Sequence, residues 1–151
     1  MKVLIILGSE SDIPQIEGTK KMLSQFKVPY DLVIASAHRN PKKVSQIASS
    51  AESKYDLVIA AAGMAAHLPG VIASHTILPV IGVPIETKSL SGFDSLYSIV
   101  QMPSGIPVAT VAIGGAKNAA ILAVQILSLK YPKLRTSLKA LKHKMEKGVK
   151  I

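Results

Sequence analysis

The sequence contains no cysteine and no tryptophan, and aromatic residues make up only 4% of its 151 positions. Without cysteine, the chain can form no disulfide, no thiolate metal site and no cysteine nucleophile. With so few aromatic side chains, the core has to be built from Val, Ile, Leu and Ala. The hydrophobic fraction of 48% is large enough for one compact domain of this length.

Long apolar runs are absent as well. No stretch approaches the roughly 18 uninterrupted apolar residues of a membrane span. The apolar run at 3–7 is too short for a signal peptide and is followed by polar residues. We therefore expect a soluble, cytoplasmic protein with no membrane partner, and the lack of cysteine fits a reducing compartment.

Acidic residues are outnumbered by basic ones, 9 to 18, and the formal charge is +9. The excess is concentrated in residues 130–151, which contain eight Lys/Arg and one acid. We therefore divide the chain into a main part, 1–129, and a basic helical tail of the same domain, 130–151. Such a tail is typical either of a patch for RNA or anionic lipid or of a solvated helix face. Because only Tyr131 adds an aromatic ring, we favour the solvated face and expect no nucleic-acid partner.

Five apolar runs are continuous rather than alternating, which indicates strands buried on both faces of a parallel sheet. They are Val3–Leu7, Leu32–Ala35, Leu57–Ala61, Val80–Val83 and Val108–Ile113. Helices are predicted between and after them, near Ser11-Asp12 with Pro14, from Pro41, over Ala65–His75, Asp94–Gln101 and Ala116–Leu129, and after Pro132. This alternation predicts an α/β fold, a three-layer sandwich with a doubly wound parallel sheet and a C-terminal helix.

Four of the loops that follow predicted strands carry small and polar residues. They are residues 8–12, 36–41, 62–70 and 114–118. In folds of this class, ligands bind beyond the carboxyl ends of the strands, and the free N–H groups of the helices that begin there attract anions. With several serine hydroxyls and Arg39 nearby, the loops indicate a site for a phosphorylated small molecule. A simpler interpretation of Ser9, Ser11 and Asp12 is that they only cap a helix.

Motifs of several common chemistries are missing. The sequence has no phosphate loop for ATP, no glycine-rich dinucleotide turn after the first strand and no nucleophile elbow. His38, His67 and His75 lack metal-ligand spacing, so we predict no metal and no cofactor. Acid–base chemistry by a histidine remains, since imidazole titrates near neutrality. His38 stands beside Arg39 at a strand end, and from the sequence alone it is equally interpretable as a functional or as a structural histidine. His67 is also interpretable as a buried helix histidine.

At these same positions the chain resembles the PurE family, the N5-carboxyaminoimidazole ribonucleotide mutases. The matching segments span nearly all of the chain before the tail: GSESD (8–12), SAHRNP (36–41), AAGMAAHLPG (61–70), LPVIGVPIETKSLSGFDSLYSIVQMPSGIPVATVAIG (78–114) and GAKNAAILAVQIL (115–127). The resemblance implies a flavodoxin- or Rossmann-like sheet. It also implies an isomerase of purine (IMP) biosynthesis that moves a carboxyl group from N5 to C4 without metal, biotin or ATP, and a homo-octamer with sites at subunit boundaries.

The resemblance also implies roles for individual residues. His38 matches the acid–base residue of the family. Asp12 is expected on the ribose hydroxyls of the ribonucleotide substrate, and Arg39 with the serines on its phosphate. The full substrate-binding set is Ser9, Ser11, Asp12, Ser36, Arg39, Gly63, His67 and Leu68.

Two alternatives remain open. One is an aminoimidazole ribonucleotide carboxylase that uses CO2 directly, although the motif at 65–70 resembles the mutase class. The other is a non-catalytic nucleotide-binding protein. For assembly, Leu78–Ile85 and the helix Ala116–Leu129 are predicted to offer more apolar surface than one sheet covers, which favours subunit contacts there.

Overall fold

The fold is organised around five parallel strands. The computed structural model describes all residues, 1–151, and the strands are β1 (Val3–Leu7), β2 (Tyr30–Ile34), β3 (Leu57–Ala62), β4 (Val80–Pro84) and β5 (Ala109–Thr110). Their order across the sheet is β2-β1-β3-β4-β5, and every neighbouring pair is parallel. In this register, Val3 lies beside Tyr30 on one side and beside Leu57 on the other.

Six helices cover the two faces of the sheet and complete three layers. They are α1 (Glu17–Gln25), α2 (Pro41–Ser50), α3 (Leu68–Ala73), α4 (Phe93–Val100), α5 (Ala116–Leu127) and α6 (Pro132–Glu146). Side chains of α1, α5 and α6 share one hydrophobic cluster with Ile5 of β1. Side chains of α2, α3 and α4 share a second cluster with Leu4 and Ile6. The predicted doubly wound, three-layer sandwich is therefore confirmed, and β1 and β3 are apolar throughout because helices cover both of their faces.

Three elements differ most from the prediction. A 3₁₀ helix, Glu10–Ile16, precedes α1, and its cap is Ser9 rather than Ser11-Asp12. The third helix is shorter than Ala65–His75, because the loop before it takes Met64 into the left-handed region, with a φ of 55°. β5 has two residues instead of six, since it lies at the sheet edge and only β4 pairs with it.

The two segments predicted to offer free apolar surface are partly covered within the chain itself. The middle of α5 is buried inside the chain itself, as Ala119, Ala120 and Ala123 show, and β4 is buried in the sheet. In α5, however, Ile121, Leu122 and Ile126 are only partly buried, and Leu129 just beyond it is exposed, so subunit contacts on this segment stay a prediction. Large exposed apolar side chains also lie on and just before α4, at Leu90, Phe93, Tyr97 and Val100.

The basic tail forms α6, which packs against the rest of the molecule. Leu134 and Leu141 are buried in the same cluster as α1 and α5, and Nε of Arg135 donates a 2.9 Å hydrogen bond to the carbonyl of Ser128. The lysines of α6 are exposed. No helix of the protein combines the length and the apolar character needed to cross a bilayer.

An ionic cluster ties strands together at the amino end of the sheet. The Asp56 carboxylate accepts hydrogen bonds from the Lys2 N–H at 2.9 Å and from the Tyr131 hydroxyl at 2.8 Å. Burial raises the pKa of Asp56, but these donors and the neighbouring positive charges outweigh it, and the pKa lies below its usual value. Beside it, Asp31 pairs with Lys2 Nζ at 2.7 Å and accepts a 2.6 Å bond from Tyr55. That bond, with some burial, raises the pKa of Tyr55 to about 12.

Candidate active site

A cleft of about 500 Å³ opens at the carboxyl ends of β1, β2, β3 and β4. Its volume falls within the range of small-molecule sites. The loops that follow separate strands meet here, as expected for a doubly wound sheet. All nine residues that the sequence singled out line this cleft, namely Ser9, Ser11, Asp12, Ser36, His38, Arg39, Gly63, His67 and Leu68.

The loop after β1 presents two hydroxyls and a carboxylate to the cleft. Ser9 caps the 3₁₀ helix weakly, since its Oγ accepts from the Ser11 N–H at 3.4 Å, and it also accepts from the Ser11 hydroxyl at 2.9 Å. The Ser11 hydroxyl lies 3.4 Å from Oδ1 of Asp12. Burial raises the pKa of Asp12 above its usual value, and the hydrogen bonds from Ser11 and Ser9 and the charge of Arg39 offset this only in part. Capping and ligand binding are therefore compatible for Ser9.

The loop after β2 brings a guanidinium group to the cleft. Asn40 Oδ1 accepts from the Lys43 N–H at 3.1 Å and caps α2, with Pro41 as its first residue, so the predicted helix start is confirmed. Just before this cap, the Arg39 N–H donates to Oγ of Ser36 at 3.3 Å. Nη2 of Arg39 donates to the Gly8 carbonyl at 3.0 Å. That single bond holds the arginine across the end of β1 and leaves its other N–H groups available to an anion.

Two histidines contact each other in the cleft. Nε2 of His38 lies 2.8 Å from Nδ1 of His67, within hydrogen-bond distance. The two rings meet nearly edge to face, with centroids 4.9 Å apart and an interplanar angle of 81°. Because a hydrogen bond needs one donor and one acceptor, the protonation of one imidazole fixes the role of the other. The pair can therefore hold and pass a proton at the cleft surface.

The loop after β3 forms one wall of the cleft. Met64 is largely exposed, at 62% of its surface, and its positive φ turns the chain sharply after Gly63. Leu68 is the first residue of α3 and is almost completely buried, so it contributes an apolar part of the wall. His67 directly precedes α3, so the start of this helix fixes the position of the second imidazole.

The cleft also contains Thr87, which the sequence analysis missed. Thr87 follows β4, and its Oγ1 is buried without a hydrogen-bond partner. Like the four loops in which the sequence predicts ligand-binding residues, the loop after β4 lies at the carboxyl end of a strand, and that position is the signal that marks Thr87. No motif marks this position, because its neighbours Glu86 and Lys88 are ordinary exposed residues.

The chemistry that the cleft offers is anion binding and proton transfer. Nowhere do three or more His, Asp or Glu side chains gather so that they could hold a metal ion. Arg39 and the serine hydroxyls provide donors for an anionic group. The imidazole pair lies beside them and can exchange protons with a ligand held there.

Comparison with known proteins identifies relatives over nearly the whole chain. A model of the protein family described as AIR carboxylase matches residues 2–148. A Pyrococcus horikoshii protein named N5-carboxyaminoimidazole ribonucleotide mutase is 56% identical, over 97% of this chain and 85% of that protein. A Candida glabrata protein named phosphoribosylaminoimidazole carboxylase is 53% identical, over 83% of this chain but 22% of that protein. The crystal structure of Treponema denticola PurE matches with a TM-score of 0.88 and 31% identity, over 97% of this chain and 92% of that one.

Proposed function

The chain belongs to the AIR carboxylase family, and we propose that it is an N5-carboxyaminoimidazole ribonucleotide mutase in which His38 is the acid–base residue. It is an isomerase of purine biosynthesis that moves a carboxyl group from N5 of the substrate to ring carbon C4. The observation that carries the assignment of His38 is its 2.8 Å contact with His67 beside the guanidinium of Arg39. An acid–base group and an anion-binding group thus line the same cleft.

The reaction needs one proton to be given and one to be taken. His38 donates a proton to N5 while the N5–carboxyl bond breaks, which releases CO2 and aminoimidazole ribonucleotide within the cleft. C4 then forms a bond to that CO2, and the C4 proton passes to His38, which restores the aromatic ring. No atom is gained or lost overall. His67 holds the imidazole of His38 in place through both steps and stabilises its protonated form.

The substrate is held by the residues around the pair. Arg39, Ser9 and Ser36 bind its phosphate, because a guanidinium and hydroxyls supply charge-assisted donors. Asp12 accepts hydrogen bonds from the ribose hydroxyls. The loop from Gly63 to Leu68 closes one side of the cleft and keeps CO2 near C4, which raises its effective concentration.

The direct carboxylase is the second candidate, since one relative is named as a carboxylase. This chain matches only about a fifth of that protein's length, whereas it matches most of the Pyrococcus mutase. The two reactions share the bond from C4 to CO2 and differ in the source of CO2. Turnover of the N5-carboxylated substrate without added bicarbonate separates them.

The decisive experiment uses purified protein and N5-carboxyaminoimidazole ribonucleotide, without ATP or bicarbonate, and follows the product by absorbance. We expect turnover by the wild-type protein and a loss of about 10²–10⁴-fold in kcat for His38→Asn. The matched control is His143→Asn, at an exposed histidine of α6. No turnover by the folded wild-type protein would refute the function, and near-normal turnover by His38→Asn would refute the role of His38.

We propose further that the enzyme is a cytoplasmic homo-octamer. The number of subunits is the one that the family resemblance implies. In support of self-association, Phe93, Tyr97 and Val100 place a row of exposed apolar side chains on α4, at helical spacing. Light scattering should give a mass eight times that of the 16.0 kDa chain. A monomer at assay concentration would contradict the proposal.

A further inference from the structure

The hydroxyl of Thr87 is the one buried side-chain polar atom of the protein that has no hydrogen-bond partner. Buried hydroxyls are nearly always paired, and an unpaired one is unfavourable. The side chain as a whole is only partly buried and lines the cleft. A ligand bound in the cleft is therefore the candidate partner of the Thr87 hydroxyl.

The contact between Thr87 and Gly63 shows how this side chain is built into the cleft. A Cβ on Gly63 would lie 2.8 Å from Cγ2 of Thr87, which is too close for two carbon atoms. Gly63 does not have a positive φ, so the glycine is needed for space and not for its backbone conformation. The absence of a side chain at 63 thus lets the loop after β4 approach the loop after β3.

The position of the Thr87 methyl group indicates how its hydroxyl can reach a ligand. Rotation about χ1 by about 120° moves Oγ1 to the place that Cγ2 occupies, next to Gly63, which is itself a lining residue of the cleft. The backbone is held meanwhile, since Gln15 Nε2 donates to the Glu86 carbonyl at 3.3 Å and the Ser91 N–H donates to the Thr87 carbonyl at 3.0 Å. The hydroxyl can therefore change partner by a rotamer change alone.

We infer that Thr87 is a substrate-binding residue whose hydroxyl forms a hydrogen bond to an oxygen atom of the bound ribonucleotide. This inference rests on the proposed function, which supplies the ligand. Arg39 and His38 hold the ligand from the β2 side of the cleft, and Thr87 holds it from the β4 side. The ligand thus satisfies a hydroxyl that has no partner within the chain.

The test compares Thr87→Val, which removes the hydroxyl and keeps the shape, with Thr87→Ser, which keeps the hydroxyl. For Thr87→Val we expect kcat/KM, and the affinity for the product nucleotide measured by calorimetry, to fall about 3- to 30-fold. Thr87→Ser should stay within about threefold of wild type. Because no hydrogen bond within the chain is lost, the melting temperature of Thr87→Val should not fall.

The matched control is Thr110→Val on β5, outside the cleft, which should leave kinetics and affinity unchanged. Wild-type kcat/KM and affinity in Thr87→Val would overturn the inference, as would equal losses in the valine and serine variants. If the proposed function is wrong, the result differs from these, because the wild-type protein itself shows no turnover. In that case the calorimetric affinities of wild type and Thr87→Val for the nucleotide still decide the role of Thr87.

Discussion

Replacing His67 by asparagine tests the imidazole pair directly. Nδ1 of His67 lies 2.8 Å from Nε2 of His38, so the two rings share one hydrogen bond. A hydrogen bond to a charged group contributes about 1.5–3 kcal/mol, and at about 1.4 kcal/mol per factor of ten this corresponds to a loss of roughly 10- to 150-fold. We expect kcat of His67→Asn to fall by that factor. We expect a smaller loss than for His38→Asn, because in the proposed mechanism His67 acts through His38 and does not itself exchange the substrate proton.

The assay is turnover of the N5-carboxylated substrate, followed by absorbance over a range of pH. Because both residues serve one proton transfer, the double variant should lose little more than His38→Asn alone. The pH–rate profile of His67→Asn should also change, because the imidazole that shares a hydrogen bond with His38 has been removed. A purely structural role would lower the melting temperature and leave the profile unchanged. Fully additive losses, or wild-type kcat in folded His67→Asn, would refute the reasoning.

Two further predictions concern partly buried carboxylates. Burial raises the pKa of Asp12, so the stability that this group contributes is present at acidic pH and is lost as the pH rises through the raised value. Asp12→Asn should therefore not lower the melting temperature at pH 7, and a clearly lower melting temperature would contradict this. We expect kcat/KM to fall about 10- to 100-fold, because the proposed contact to the ribose hydroxyls is lost. Asp56→Asn should lower the free energy of unfolding at pH 7 by about 1–3 kcal/mol, measured with denaturant. Because the pKa of Asp56 is lowered, this difference should disappear as the pH falls from 3.8 through the lowered value, and a deficit independent of pH would be inconsistent with the ionic cluster.

The central strands could be predicted from the sequence almost to the residue. β1 was predicted as Val3–Leu7 and is observed with those bounds, because helices cover both faces and every position must be apolar. β5 was predicted as Val108–Ile113 and is only Ala109–Thr110. An edge strand has one neighbour, so its extent depends on the partner's geometry more than on its own composition. The residues of β5 themselves therefore indicate little about where this strand begins and ends.

The site could be predicted as a set of residues but not as an arrangement. His38 follows β2 and His67 follows the end of β3, and these two strands do not pair, since β1 lies between them. Their contact depends on the strand order and on the rotamers of both rings, which no spacing in the sequence encodes. Thr87 was missed for a related reason: its signature is an unpaired hydroxyl and a close approach to Gly63, and both exist only in three dimensions.

The ladder between β1 and β3 has a kinetic consequence for the ligand. It joins Val3 to Leu57, so a large part of the chain must be closed into a loop before these strands can pair. Gly8 and Gly63 follow these two strands, and the cleft between them therefore forms only when this distant pairing is complete. A nucleotide that requires the finished cleft has nothing to bind in a partly folded chain. It stabilises the protein by slowing unfolding, and the rate of refolding is the same with or without it.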